Sequence, residues 1–198
     1  IVHEPSDCKI NFNPIDALKV VNNKSIDLQV SPSVEWRLHR PEALNVPVFK
    51  PHDWTYTTAY MGTLQEGKDW KIDIQPSNED IDFSKLSKRD RILFYREIDL
   101  YEDELSDHGV SKLTLKLRVM PDGFLLLQRF FLKVDGVILR SYETRIYHEF
   151  ESKYISRTFI KKERKTKEIV RSIDEPSKLF TQSDIVESKF EKLYFNPI

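Results

Sequence analysis

The sequence predicts an α+β fold, mostly an antiparallel β-sheet meander in two layers with flanking helices. Leu113, Leu115, Leu117 and Val119 alternate with Lys112, Thr114, Lys116 and Arg118, the period of two that marks a half-buried strand. Met120-Pro121-Asp122-Gly123 and Asp135-Gly136 place turn chemistry on either side of the long apolar run Phe124–Val134. Turns this short make neighbouring strands antiparallel.

The first element is a helix. Asn13 is a good N-cap, Pro14 suits the first helical position, Asp16 sits where it can meet a free backbone N–H, and Ile15, Leu18 and Val21 form an apolar stripe that ends at Asn22-Asn23. Ile26, Leu28 and Val30 alternate as a strand, Pro41 to Pro51 reads as loop, and Asp53 to Tyr60 is rich in Thr, Tyr and Trp and suits a strand. Trp54, Tyr56 and Tyr60 share one face of that strand, as core or as an exposed aromatic strip. Trp70 to Ile74 alternates again, Phe83 to Arg89 suits a short helix, and Ile92 to Leu100 favours a strand. The meander follows, with Phe124 to Val134 apolar enough to be covered on both faces, Val137 to Phe150 returning, and Tyr154 to Ile160 pairing as a fourth strand. Lys161 to Arg171 carries six basic residues and reads as an exposed helix or loop. Glu97 to Asp107 carries six acids and no Lys or Arg, so these two segments can meet each other or face partners.

At 198 residues with no Gly/Ser linker and no repeat, the chain reads as one domain over 1–198. It begins at Ile1 and not Met, so residues are expected to precede it. Lys plus Arg is 31 and Asp plus Glu is 32, a balance that argues against nucleic acid and anionic membranes as partners. No apolar run approaches the ~20 residues of a membrane span. The single cysteine, Cys8, fits a reducing compartment, so a cytoplasmic protein is expected, with the nucleus open as a second location.

The templates of common enzymes are missing: no Gly-rich phosphate loop, nucleophile elbow, Cys-x-x-Cys or His-Glu-x-x-His. The reading is non-enzymatic, without cofactor or metal. His52, His108 and His148 define the weaker alternative of a metal-dependent hydrolase, although His148 and Glu149 are neighbours on one strand and point to opposite faces. Arg140 and Arg145 also face opposite sides, whereas Arg145 and Arg157 can converge on one carboxylate or phosphate, against a bland reading as surface ion pairs. A third reading is a scaffold that binds acidic or phosphorylated peptides through Lys161 to Arg171.

Several strings resemble one family. Asp16-Ala-Leu-Lys-Val-Val-Asn-Asn23, Lys50-Pro-His-Asp-Trp-Thr-Tyr-Thr-Thr58, Asp107-His-Gly-Val-Ser111, Arg118-Val-Met-Pro121, Arg129-Phe-Phe-Leu132, and Thr144-Arg145 followed by Tyr147-His-Glu149 are similar to the TIPRL family of TOR signalling pathway regulators. The resemblance implies a non-catalytic protein of antiparallel sheet and flanking helices that binds catalytic subunits of type 2A, 4 and 6 protein phosphatases, with a cleft for the phosphatase C-terminal tail. It also implies a link to the Tap-type (alpha-4) phosphatase-associated subunit and a role in phosphatase assembly and activity. Carried over by motif, the partner-binding residues are Asp16, Ile81, Ser141, Arg145 and Phe159, and Arg157 joins them through its expected convergence with Arg145. Ser141 stands where the family typically has methionine, and Phe159 where it has tyrosine.

Overall fold

The computed structural model describes residues 1–20, 59–87, 91–104, 109–134, 138–165 and 183–198. The expected strand at Ile26–Val30, the loop from Pro41 to Pro51, the aromatic pair Trp54 and Tyr56, the Asp135-Gly136 turn, His52 and His108 lie outside these residues.

Among the described residues the strands form two sheets. The smaller holds β1 (Val2–His3), β2 (Cys8–Asn11) and β3 (Thr63–Gln65) in that order. The larger has seven strands, all paired antiparallel: β4 (Trp70–Pro76), β5 (Phe94–Glu104), β6 (Gly109–Met120), β7 (Gly123–Val134), β8 (Ile138–Glu149), β9 (Tyr154–Lys165) and β10 (Asp184–Pro197). Its order is β4-β10-β9-β8-β7-β6-β5, so the chain meanders from β5 to β10 and the last strand closes against β4.

The small sheet and the helix α1 (Pro14–Lys19) cover one face of the large sheet, here called the inner face. Cys8 and Ile10 meet Ile72, Leu126, Ile146, Ile155 and Leu193, while Ala17 and Tyr60 meet Leu113, Phe130, Tyr142 and Phe159. Ile146 and Leu193 lose all contact with water, and each such side chain contributes about 2 kcal/mol. On the outer face, α2 (Phe83–Leu86) brings Ile81 and Leu86 onto Met120, Leu125 and Tyr147. Phe130, Phe131 and Leu132 are buried in succession, as a strand covered on both faces requires.

The two layers and the antiparallel meander match the expectation, but the helical part is smaller. Among the described residues the helices are six and four residues long. α2 stops at Leu86, and Lys161–Lys165 extends β9 instead of forming a helix or loop. The backbone of Ile138–Tyr142 pairs with that basic stretch, and the ladder overrides the polarity of its side chains. No element was expected over 184–197, yet it forms β10. β1, β2 and β3 are too short to show a period. Tyr60 lies in the core, with its hydroxyl donating to the Asn11 carbonyl.

Candidate functional site

Asp82 builds the outer-face site. It caps the short α2 helix, its Oδ1 accepting from the Ser84 and Lys85 N–H groups at 2.9 and 3.4 Å. That turn buries Ile81 and sends the Lys85 ammonium across to Glu149 on β8 at 3.0 Å. Two cavities share Lys85, Tyr147 and Glu149 as lining. One, about 170 Å³, is bounded by Glu79, Ile81, Tyr154 and Lys192; the other, about 550 Å³, by Met120, Gly123 and Phe150. The Lys85–Glu149 pair therefore stands as a bridge within one trough. Burial and the bond from its own hydroxyl to Glu149 push the Tyr147 phenol up to about 12, so it stays protonated as a donor.

Strand parity puts Glu143, Arg145 and Tyr147 on the same face of β8. Glu143 is wholly buried and holds two guanidinium groups, accepting from Arg129 Nε at 2.6 Å and from Arg145 through its other oxygen. Arg145 lies with its guanidinium carbon 4.9 Å from the centroid of the Phe83 ring, its side chain 16% accessible. A buried carboxylate below and an aromatic ring alongside fix this planar cation on the same face of β8 as Tyr147.

The six expected residues divide between the two faces. Ile81, Ser141 and Arg145 belong to the outer face; Asp16, Arg157 and Phe159 to the inner. Arg145 pairs in register with Thr158 and Arg157 with Ile146, so neighbouring side chains point apart and the expected convergence of Arg145 and Arg157 does not occur. Arg157 instead is buried against Glu191, its Nε 2.8 Å from the carboxylate. Burial pushes the Glu191 carboxyl up, but Lys189 and Arg157 outweigh it and hold the group below its ordinary value. Phe159 packs edge-on against Tyr142 inside the core, and Ser141 is buried.

Asp16 is a hub. Its carboxylate accepts from Asn13 at 2.7 Å, the Thr63 hydroxyl at 2.7 Å and Lys19 at 2.8 Å, while its N–H donates to Asn13. Those three donors, Lys19 first, hold it well below the carboxylate range. It ties α1 to β3. The acids of 97–102 find partners on β6: Glu97 with Lys116, and Asp99 and Glu102 with Lys112, rather than the basic segment of β9. His148 has Nδ1 3.0 Å from the Tyr154 carbonyl and its ring against Phe124, while Glu149 points to the other face. The sequence reading gave no role to Glu143, Arg129 or Phe83. For Glu143 the signal was available, because Glu143 and Arg145 are two apart on a strand.

A guanidinium clasped by Glu143 and, on the same face of β8, a cleft lined by Ile81, Lys85, Tyr147 and Glu149 make up the outer-face site of this antiparallel sheet. Residues 1–170 match the TIP41-like family model. The TIP41-like protein of Homo sapiens is 44% identical over 191 residues, covering 94% of this chain and 70% of that protein. The type 2A phosphatase activator of Schizosaccharomyces pombe is 33% identical over 198 residues, covering 94% and 77%. The activator of Saccharomyces cerevisiae is 36% identical over 164, covering 75% and 45%. The chain belongs to the TIP41-like family.

Proposed function

We propose that this chain is a non-catalytic regulator that binds the catalytic subunit of type 2A protein phosphatases, and of the related type 4 and 6 enzymes, through the outer-face trough. The names of the two yeast relatives support the partner class. The observation that carries the binding mode is Arg145, held by Glu143 and Phe83 on the same sheet face as Tyr147 and Ile81. A phosphatase C-terminal tail would lie extended there, its carboxylate on Arg145 and its apolar side chains against Ile81 and Tyr147. A flexible tail loses entropy on ordering, so few anchors must supply the affinity. By occupying the tail the protein would control phosphatase assembly and activity in TOR signalling, in the cytoplasm, with the Tap-type subunit as a further partner.

Calorimetry with the purified catalytic subunit tests this. Arg145→Ala should weaken binding at least tenfold, about 1.4 kcal/mol, while a phosphatase lacking its C-terminal tail should bind the unmodified chain as weakly as the intact enzyme binds that variant. Equal affinity for intact and tail-less enzyme would remove the proposed mode.

A further inference from the structure

The two edges of the large sheet are unlike. β4 is short, carries Lys71 and Asp73, and ends at Pro76, the usual devices that keep a sheet edge from pairing. β5 is eleven residues long, with neither proline nor lysine. Among the described residues only β6 pairs with it. Its first half and the residues leading into it expose Ile92, Leu93, Phe94, Tyr95 and Ile98, each 40 to 54% accessible. From Phe94 to Asp99 the ladder with β6 is unbroken; the register shifts only between Asp99 and Tyr101. That leaves a straight edge of about 20 Å at ~3.4 Å per residue.

The charge along this edge says what fits it. β5 carries Glu97, Asp99, Glu102, Asp103 and Glu104 against one cation, Arg96. On β6, Lys112 and Lys116 are shared among Glu97, Asp99 and Glu102. The edge therefore runs from exposed apolar side chains into a net acidic stretch. A second copy of the chain would bring the same acid excess to the interface, and like charges facing across strands are destabilising.

We propose that β5 is a docking edge for an extended segment of another protein, one that adds an antiparallel strand, with Lys or Arg residues followed by alternating apolar ones. The main chain would supply the hydrogen bonds, the apolar side chains would cover Phe94 and Ile98, and the basic end would meet the acidic stretch. This edge is independent of the outer-face trough.

The test uses the full chain and a fluorescein-labelled synthetic peptide of three lysines followed by alternating valine and threonine. Two controls carry glutamate for lysine, or N-methyl groups on alternate backbone amides. In anisotropy titrations the lysine peptide should bind at least tenfold more tightly than either control, and added salt should narrow its lead over the glutamate peptide. It should slow hydrogen exchange of the 94–98 amides. Ile98→Lys, or Ile92→Lys should the first disturb folding, should weaken it at least tenfold, whereas Arg145→Ala should leave it unchanged. Equal binding of the N-methylated peptide overturns the proposal. So does protection, in the free protein, of those 94–98 amides that point away from β6, which would mean that the chain covers its own edge. A dimer in sedimentation that Ile98→Lys dissociates overturns it in favour of a second copy.

Discussion

Arg157 and Glu191 face each other across β9 and β10, both nearly inaccessible, with the guanidinium Nε and Nη2 on one carboxylate oxygen. Removing one partner strands a buried charge. Arg157→Ala should cost about 3 kcal/mol in urea unfolding, the low end for a broken buried pair because Lys189 still reaches Glu191. At temperatures where that variant stays folded, its affinity for a phosphatase should be unchanged, since Arg157 lies on the face away from Arg145. Asp16 requires similar separation of roles. Asp16→Leu takes an acceptor from Asn13, Thr63 and Lys19 together, so it should lower the thermal midpoint as well as alter any binding, whereas Asp16→Asn keeps an oxygen for the Thr63 hydroxyl and should recover most of the midpoint.

At the scale of elements, the β9–β10 pairing carries a pH dependence. Glu191 has a folded-state pKa below its ordinary 4.5. A depressed carboxylate contributes stability that is complete above its unfolded pKa and is lost as pH falls through the folded one. Stability measured by urea midpoint should therefore decline below about pH 4.5, and in Glu191→Gln the decline should be shallower. The hairpin between β6 and β7 has a steric requirement. A Cβ on Gly123 would sit 2.2 Å from the His148 carbonyl oxygen, so backbone must move. Gly123→Ala should cost about 2 kcal/mol, within the range of backbone clashes in paired strands, and should show in the thermal midpoint. These elements also show what the sequence made readable. β6 to β9 emerge from alternation and turn residues because each is twelve residues long and spans several periods. β1 and β3 offer two and three residues, and β10 buries only part of its length, so no periodic signal exists for them.

Across the whole molecule, one sheet presents two unrelated surfaces. The inner face is filled by the small sheet and α1, which places Phe159, Arg157 and Asp16 in the architecture. The outer face carries Arg145, Ile81 and the trough, where the proposed partner would dock. Motif strings and an expected Arg145–Arg157 convergence put the six residues in one set, and the β8–β9 register together with the packing of α1 and Ile81 divides them. Arg145→Ala and Phe159→Ala should accordingly fail differently: the first should lose phosphatase affinity with a smaller fall in thermal midpoint, because Arg129 still holds the buried Glu143, while the second should lower the midpoint at a cost of about 3 kcal/mol for a large buried aromatic.

By itself the sequence determined the antiparallel meander, the capped helix at Pro14 and the family, because alternation, turn residues and motif strings are local properties of the chain. The tertiary structure decided which side chains meet. Sheet faces are assigned by the pairing of strands far apart in sequence, and a single-residue change of register exchanges every side chain between core and surface. The separate fate of Arg157 and, among the described residues, the edge position of β5 follow from that pairing, and no local pattern encodes them.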